Sequence, residues 1–256
     1  MRPVDPDPYA TAPLRTGLEH LHAAEPDHEQ AVYWFRVAAD AGNAEALALL
    51  GWCQLEGLGL PRDPEQARIR LEHASAAGSV TAKFHLGRAL VAGWGGAADA
   101  PRGVVLYITA ASQGHADATF NLAACLDAGW GCQPDRLAAK ALFLRARAMG
   151  SPLRAPGLRI RQRELDAVRD LARRFEVGSE IGHLVEERQH EIALMQELVH
   201  HPSRRKRRLS AGQKQALARL AGVAVVIGGV AGAVAGLFGW RGRRAVSHDA
   251  GPTSIA

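Results

Sequence analysis

Cysteine is scarce. Cys53, Cys125 and Cys132 are an odd number without C-x-x-C spacing, which argues against a disulfide framework and against a zinc site. A reduced, cytosol-facing environment fits such usage. Aromatics make up only 5% of the chain. Met1-Arg2-Pro3-Val4-Asp5-Pro6-Asp7-Pro8 contains no apolar run, so a secretory signal is not expected. Charge of one sign is also lacking. The net charge of +5 is modest, is carried by arginine, and lies largely after residue 150, so the chain as a whole is not a basic nucleic-acid binder. What is plentiful is apolar sequence, at 47%, with much alanine and 27 glycines. Alanine favours helices whose faces approach closely.

The glycines are periodic. Gly42, Gly78, Gly114 and Gly150 follow one another at 36-residue steps, and Ala38, Ala74, Ala110 and Ala146 precede each by four. Ala46, Ala82 and Ala118 keep the same step, as do Leu50, Leu86 and Leu122. Each unit carries a G-x-G pair, Gly57/Gly59, Gly93/Gly95 and Gly129/Gly131, and four residues on an aspartate, Asp63, Asp99 and Asp135; Asp27 has the same phase upstream. A fixed period of this length is the mark of a repeat architecture.

The spacing predicts two helices per unit. Helix A covers about 44–56, 80–92 and 116–128, with a narrow face of Ala, Leu and a small residue (Gly51, Gly87, Ala123). Glycine in the G-x-G turn ends it through the left-handed conformation. The loop aspartate is an N-cap for helix B, expected over 28–41, 64–77, 100–113 and 136–149. Bulky residues on helix B (Trp34 and Phe35, Leu71, Leu106 and Tyr107, Leu142 and Phe143) are expected in a core made continuous by stacking. Trp52, Trp94 and Trp130 lie near the turns; Trp94 and Trp130 fall inside the G-x-G pairs, where an exposed ring would serve binding, but packing over the loops is the expectation.

The pattern Ala-x-x-x-Leu-Gly…Gly-x-Gly-x-x-x-Asp…Ala-x-x-x-Gly resembles Sel1-like repeats, relatives of the tetratricopeptide repeat. Residues 44–78 carry it most fully. Two departures stand out: Gly103 replaces an alanine early in helix B, and Ala123 replaces the helix A glycine. The resemblance spans 9–150, with a degenerate first helix A in which Ala10 and Leu14 keep phase, then units near 44–78, 80–114 and 116–150. It implies an all-α, right-handed αα solenoid serving as a protein-binding adaptor, without shared catalytic machinery.

Beyond the repeats, Ser151-Pro152 breaks the register. A charged helix is expected over 158–175 and a second over 179–200, with an apolar stripe through Ile181, Leu184, Val185, Ile192, Met195 and Val199. This pair, within a segment 151–201, caps the solenoid or links it onward. His183, Glu187 and His190 share a face with metal-compatible spacing but lie opposite the apolar stripe, which reads as a solvated polar face.

A basic linker, 202–219, holds Arg204-Arg205-Lys206-Arg207-Arg208. Leu220 to Trp240 then runs 21 residues without a charge, long enough to span a hydrocarbon core of about 30 Å. Arg241, Arg243 and Arg244 open the tail, 241–256. The expectation is a single transmembrane helix, with Arg204 to Arg208 meeting anionic headgroups. The heavier basic flank upstream keeps the repeats in the cytoplasm, facing a bacterial inner membrane. Gly228, Gly232 and Gly236 form a small-residue stripe suited to self-association. The other reading is a soluble repeat adaptor whose apolar C-terminal helix packs in an oligomer or partner. Residues 1–8 are expected to be disordered. No nucleophile–base constellation, metal site or cofactor motif emerges, and the G-x-G pairs follow no strand, as a dinucleotide site requires. The function expected is protein binding at a membrane.

Overall fold

The computed structural model describes residues 8–155, 159–176 and 180–200. The chain divides into two compact units, 1–193 and 194–256. Among the described residues there are ten α-helices: α1 (Pro8–Leu21), α2 (His28–Asp40), α3 (Ala44–Glu56), α4 (Pro64–Ala76), α5 (Val80–Ala92), α6 (Ala100–Ser112), α7 (Ala116–Ala128), α8 (Arg136–Ala148), α9 (Leu165–Arg174) and α10 (Ile181–His200). The first eight pair as α1/α2, α3/α4, α5/α6 and α7/α8 hairpins, and the second helix of each hairpin packs on the first helix of the next. The result is an all-α solenoid.

Local chemistry sets each boundary. Asp27, Asp63, Asp99 and Asp135 accept hydrogen bonds from the amides of Gln30, Gln66, Arg102 and Ala138 at 3.0–3.1 Å, fixing the starts of α2, α4, α6 and α8. The helix A starts have caps that the spacing does not reveal. Asn43, Ser79 and His115 accept from Ala46, Ala82 and Ala118 at 3.0, 3.0 and 3.2 Å. Helix A ends on Gly57, Gly93 or Gly129, each left-handed. Helix B stops one residue earlier than its spacing suggests. Ala41, Ala77, Gln113 and Met149 become the cap residues, and Gly42, Gly78, Gly114 and Gly150 turn the chain at φ +86, +96, +88 and +89.

The core is a ladder of equivalent contacts. Ala38, Ala74, Ala110 and Ala146 are fully buried, as are Ala46, Ala82 and Ala118. Leu50, Leu86 and Leu122 are buried beside them. Gly51 and Gly87 sit where a Cβ would come within 2.9 Å of Leu71 and 2.8 Å of Tyr107. The departure at Gly103 has a steric reason. A Cβ there would meet Val91 Cγ2 at 2.7 Å and the Gly87 carbonyl oxygen at 3.0 Å. The polar pair Gln54 and Arg70, which are hydrogen bonded, stands where the next unit packs Leu90 with Leu106.

In the first hairpin the register differs from the sequence expectation. Leu14 does pack on the first core cluster. The slot facing Phe35, however, is filled by Gly17, whose absent Cβ would lie 2.6 Å from that ring. Gly17 precedes Gly51 by 34 residues, two fewer than the repeat period, and the α1–α2 loop lacks a G-x-G turn.

After α8 the helices start later than hydropathy alone suggests. α9 begins at Leu165, since Glu164 and Arg161 close a short turn: the Arg161 amide donates to Glu164 Oε1 at 3.0 Å and the Glu164 amide to the Arg161 carbonyl at 3.0 Å. Val168, Leu171, Phe175, Ile181, Leu184 and Val185 are buried. Lys140 of α8 pairs with Glu164 at 2.7 Å. Arg188 of α10 embraces Asp135 with two hydrogen bonds, one of them at 2.9 Å, and Gln189 exchanges two with the Gln133 backbone. The side chains of Met195 and Val199, the run 204–208, the 220–240 segment and Gly228, Gly232 and Gly236 lie outside the described residues. Among the described residues, no helix is long and apolar enough to cross a membrane.

Candidate protein-binding face

Three equivalent positions on the helix A row, 52, 88 and 124, hold Trp52, Arg88 and Ala124. Six residues after each stands the middle residue of a G-x-G turn: Leu58, Trp94 and Trp130. The upstream residue governs how far the turn residue is covered. Trp52 and Leu58 both pack on the first core cluster. The Arg88 guanidinium lies 5.2 Å over the Trp94 ring, and Trp94 is half-buried. Ala124 reaches no such distance, and Trp130 is 56% exposed. The expectation of a packed ring therefore fails at Trp130, because an alanine methyl is too short to cover an indole.

Inward of this edge, aromatic and imidazole rings stitch the units together. Trp52 stacks on His85 at 5.7 Å between centroids, Phe84 lies 4.8 Å from His85, and Phe84 stacks on His115 at 4.5 Å. Arg88 bridges to Glu56 of the preceding unit at 3.2 Å. Glu45 accepts from Ser79 at 2.7 Å and from Thr81, both in the following unit. Asp117 repeats the arrangement with Ser151 at 2.6 Å. In the middle step Thr81 stands where these carboxylates stand, and the Phe84–His115 stack joins those units.

The electrostatics mark this seam as structural. Burial drives the His85 pKa down to about 3, with the Arg88 and His115 charges adding to it, so the imidazole is neutral at physiological pH. His115 is lowered too, by burial, against the opposing pull of Asp117 and Glu45. Its Nδ1 accepts from the Ala118 amide, which the neutral ring alone allows. Burial raises Cys53 and Cys125 to about 12 and Cys132 to about 11, leaving three protonated thiols rather than nucleophiles. Burial also pushes the Glu164 carboxyl up, but the hydrogen bonds of Lys140 and of the Arg161 amide, with their charges, outweigh it and hold the group below its usual range.

Among the described residues, no three His, Cys, Asp or Glu side chains gather as a metal site. His183 and His190 are exposed, and Glu187 pairs with Arg174 at 3.5 Å. Beside Trp130 lies a cavity of about 430 Å3 lined by Val91, Ala92, Ala100 and the turn Gly129–Gly131. A wider groove of about 790 Å3 between α8 and α9 is of mixed charge, with Arg145, Arg169 and Arg173 facing Asp166 and Glu176. The repeat residues named from the sequence thus build the frame. The exposed candidate for contact is Trp130, which the sequence offers as a binding ring only as the second choice to packing over the loop.

Comparison with known proteins follows the same units. The Sel1 repeat family model matches residues 14–43, 44–78, 80–115 and 116–151, more than half the chain. Among solved structures, a Sel1 repeat protein from Oxalobacter formigenes is 29% identical over 54% of this chain and 54% of its own, with a TM-score of 0.48. The protective antigen c5321 of uropathogenic Escherichia coli, which displays an SLR fold, is 22% identical over 94% of this chain and 43% of its own, with a TM-score of 0.49. The chain spans about half the length of these proteins. No curated protein sequence matches. On its four matched units, the chain belongs to the Sel1 repeat family.

Proposed function

We propose that this chain is a non-enzymatic protein-interaction scaffold, held at a membrane with its repeats in the cytoplasm. The interaction reading rests on membership of a repeat family that typically mediates protein–protein contact. The observation that carries it is Trp130, an indole 56% exposed at the edge of a rigid frame and beside an apolar cavity. Large aromatic side chains of this kind dominate the binding energy of protein interfaces. The titratable groups buried in the seam have packing partners, and their shifts hold them in uncharged forms, which suits a frame rather than proton transfer.

The membrane reading rests on the uncharged run 220–240 and the basic run Arg204 to Arg208 before it. Gly228, Gly232 and Gly236 would let two such helices approach. Fractionation of the full chain beside a truncation ending at Ser203, with a carbonate wash, tests it. The full chain staying in the washed pellet while the truncation is released supports the tether. Recovery of both in the soluble fraction overturns it and favours an apolar segment that packs in an oligomer or partner.

A further inference from the structure

The cavity beside Trp130 has an internal precedent. One unit upstream, Arg88 lays its guanidinium 5.2 Å over Trp94 and bonds to Glu56 at 3.2 Å. Adding 36 to each number gives Ala124, Trp130 and Ala92. Both members of the Arg–Glu pair have become alanine while the indole remains. Ala92, the position of the lost carboxylate, and Trp130 both line the cavity of about 430 Å3. The ring is 56% exposed as a result.

We propose that Trp130 is a receptor for an arginine side chain of a partner protein, which takes the place over the indole that Arg88 takes over Trp94. This rests on the protein-binding reading above and names the chemistry of its contact. The guanidinium stacks on the ring face, drawn by the ring quadrupole. Its methylene stem enters the cavity, whose lining of Val91, Ala92 and Ala100 suits an aliphatic chain. A neutral apolar side chain would fill the cavity but gain nothing from the ring face, so the site discriminates by charge. The Arg–Trp stack inside the chain is the evidence that this fold holds a guanidinium over an indole at that position.

The test is titration of the full chain with N-acetyl-arginine amide, following the Trp130 indole N–H by NMR after assignment through Trp130→Phe. N-acetyl-leucine amide is the neutral control. The Trp130 signal should move saturably with the arginine amide, and at least fivefold less with the leucine amide. Ala124→Arg supplies the cation within the chain and should reduce the response at least fivefold. Ala92→Glu restores the carboxylate partner and should strengthen binding several-fold. An unmoved Trp130 signal, an equal response to the leucine amide, or an undiminished response in Ala124→Arg overturns the proposal. The scaffold reading is judged separately, by whether a partner protein is cross-linked from Ala128 beside an intact Trp130, so either can fail alone.

Discussion

Gly59 lies against His28 of the preceding unit so closely that a side chain there would overlap the His28 carbonyl and stand 3.0 Å from the Glu29 amide nitrogen. Gly95 meets Pro64 and Glu65 in the same way, and Gly131 meets Ala100 and Pro101. The second glycine of each G-x-G pair is therefore a contact between units as well as part of a turn. Gly78 has comparable positive φ, +96, with nothing within 4 Å of where a Cβ would stand. Gly78→Ala should thus show only the left-handed strain, about 1–2 kcal/mol. Gly59→Ala adds a backbone collision and should exceed it by at least about 1 kcal/mol. Urea unfolding of the two variants side by side checks the order.

The helix caps should separate by what else they hold. Asp99 caps α6 by accepting from Arg102 at 3.1 Å. Asp99→Ala should cost about 1 kcal/mol. Asp135 caps α8, is buried, and also receives Arg188 of α10. Removing it strands a guanidinium whose side chain is only 13% exposed, so Asp135→Ala should cost about 3 kcal/mol or more. Equal losses for the two variants would show that the Arg188 contact contributes nothing.

Acid should weaken the seam through His85. The unfolded imidazole titrates near 6.5, whereas the folded one holds off its proton until about 3. Between these values the unfolded chain binds more protons, so stability falls as pH drops, by at most about 1.4 kcal/mol per pH unit from this group. His115 is depressed as well and adds loss of the same sign. His85→Leu places at this position the residue that the preceding unit has at Leu49, and should flatten the pH dependence without abolishing it. Unfolding free energies at pH 7, 5.5 and 4.5 for both proteins read this out.

Thiol labelling should follow burial. Cys53 and Cys125 are buried with raised pKa values, and Cys132 is half-buried with its own at about 11. N-ethylmaleimide at neutral pH should leave Cys53 and Cys125 unmodified in the native chain and modify Cys132 slowly. All three should react once the chain is unfolded in urea. Mass spectrometry of the native time course counts the adducts.

The frame was legible because the period repeats with so few exceptions: 36-residue steps of Gly, Ala, Leu and Asp place the seven helices α2 to α8 nearly to the residue. Three features were not legible. The helix A caps vary between Asn43, Ser79 and His115, so no single residue type recurs to betray them. The first unit is offset by two residues and lacks the G-x-G turn that marks the others, and only the Gly17–Phe35 contact reveals the true register. The exposure of Trp130 depends on what stands six residues upstream in three dimensions, a relation that appears only when Arg88 is seen over Trp94. A pattern of types reports which positions are buried. It does not report which covering residue has been lost.

Photocrosslinking beside Trp130 tests the interaction account most directly. A photoreactive phenylalanine analogue is placed at Ala128, two residues before an intact Trp130, and, in a second chain, at Tyr33 on α2, both positions being exposed. The account predicts a discrete protein adduct in cells from position 128, none from position 33, and loss of the adduct when Ala124→Arg is added. No adduct from position 128, or equal adducts from both positions, would contradict it.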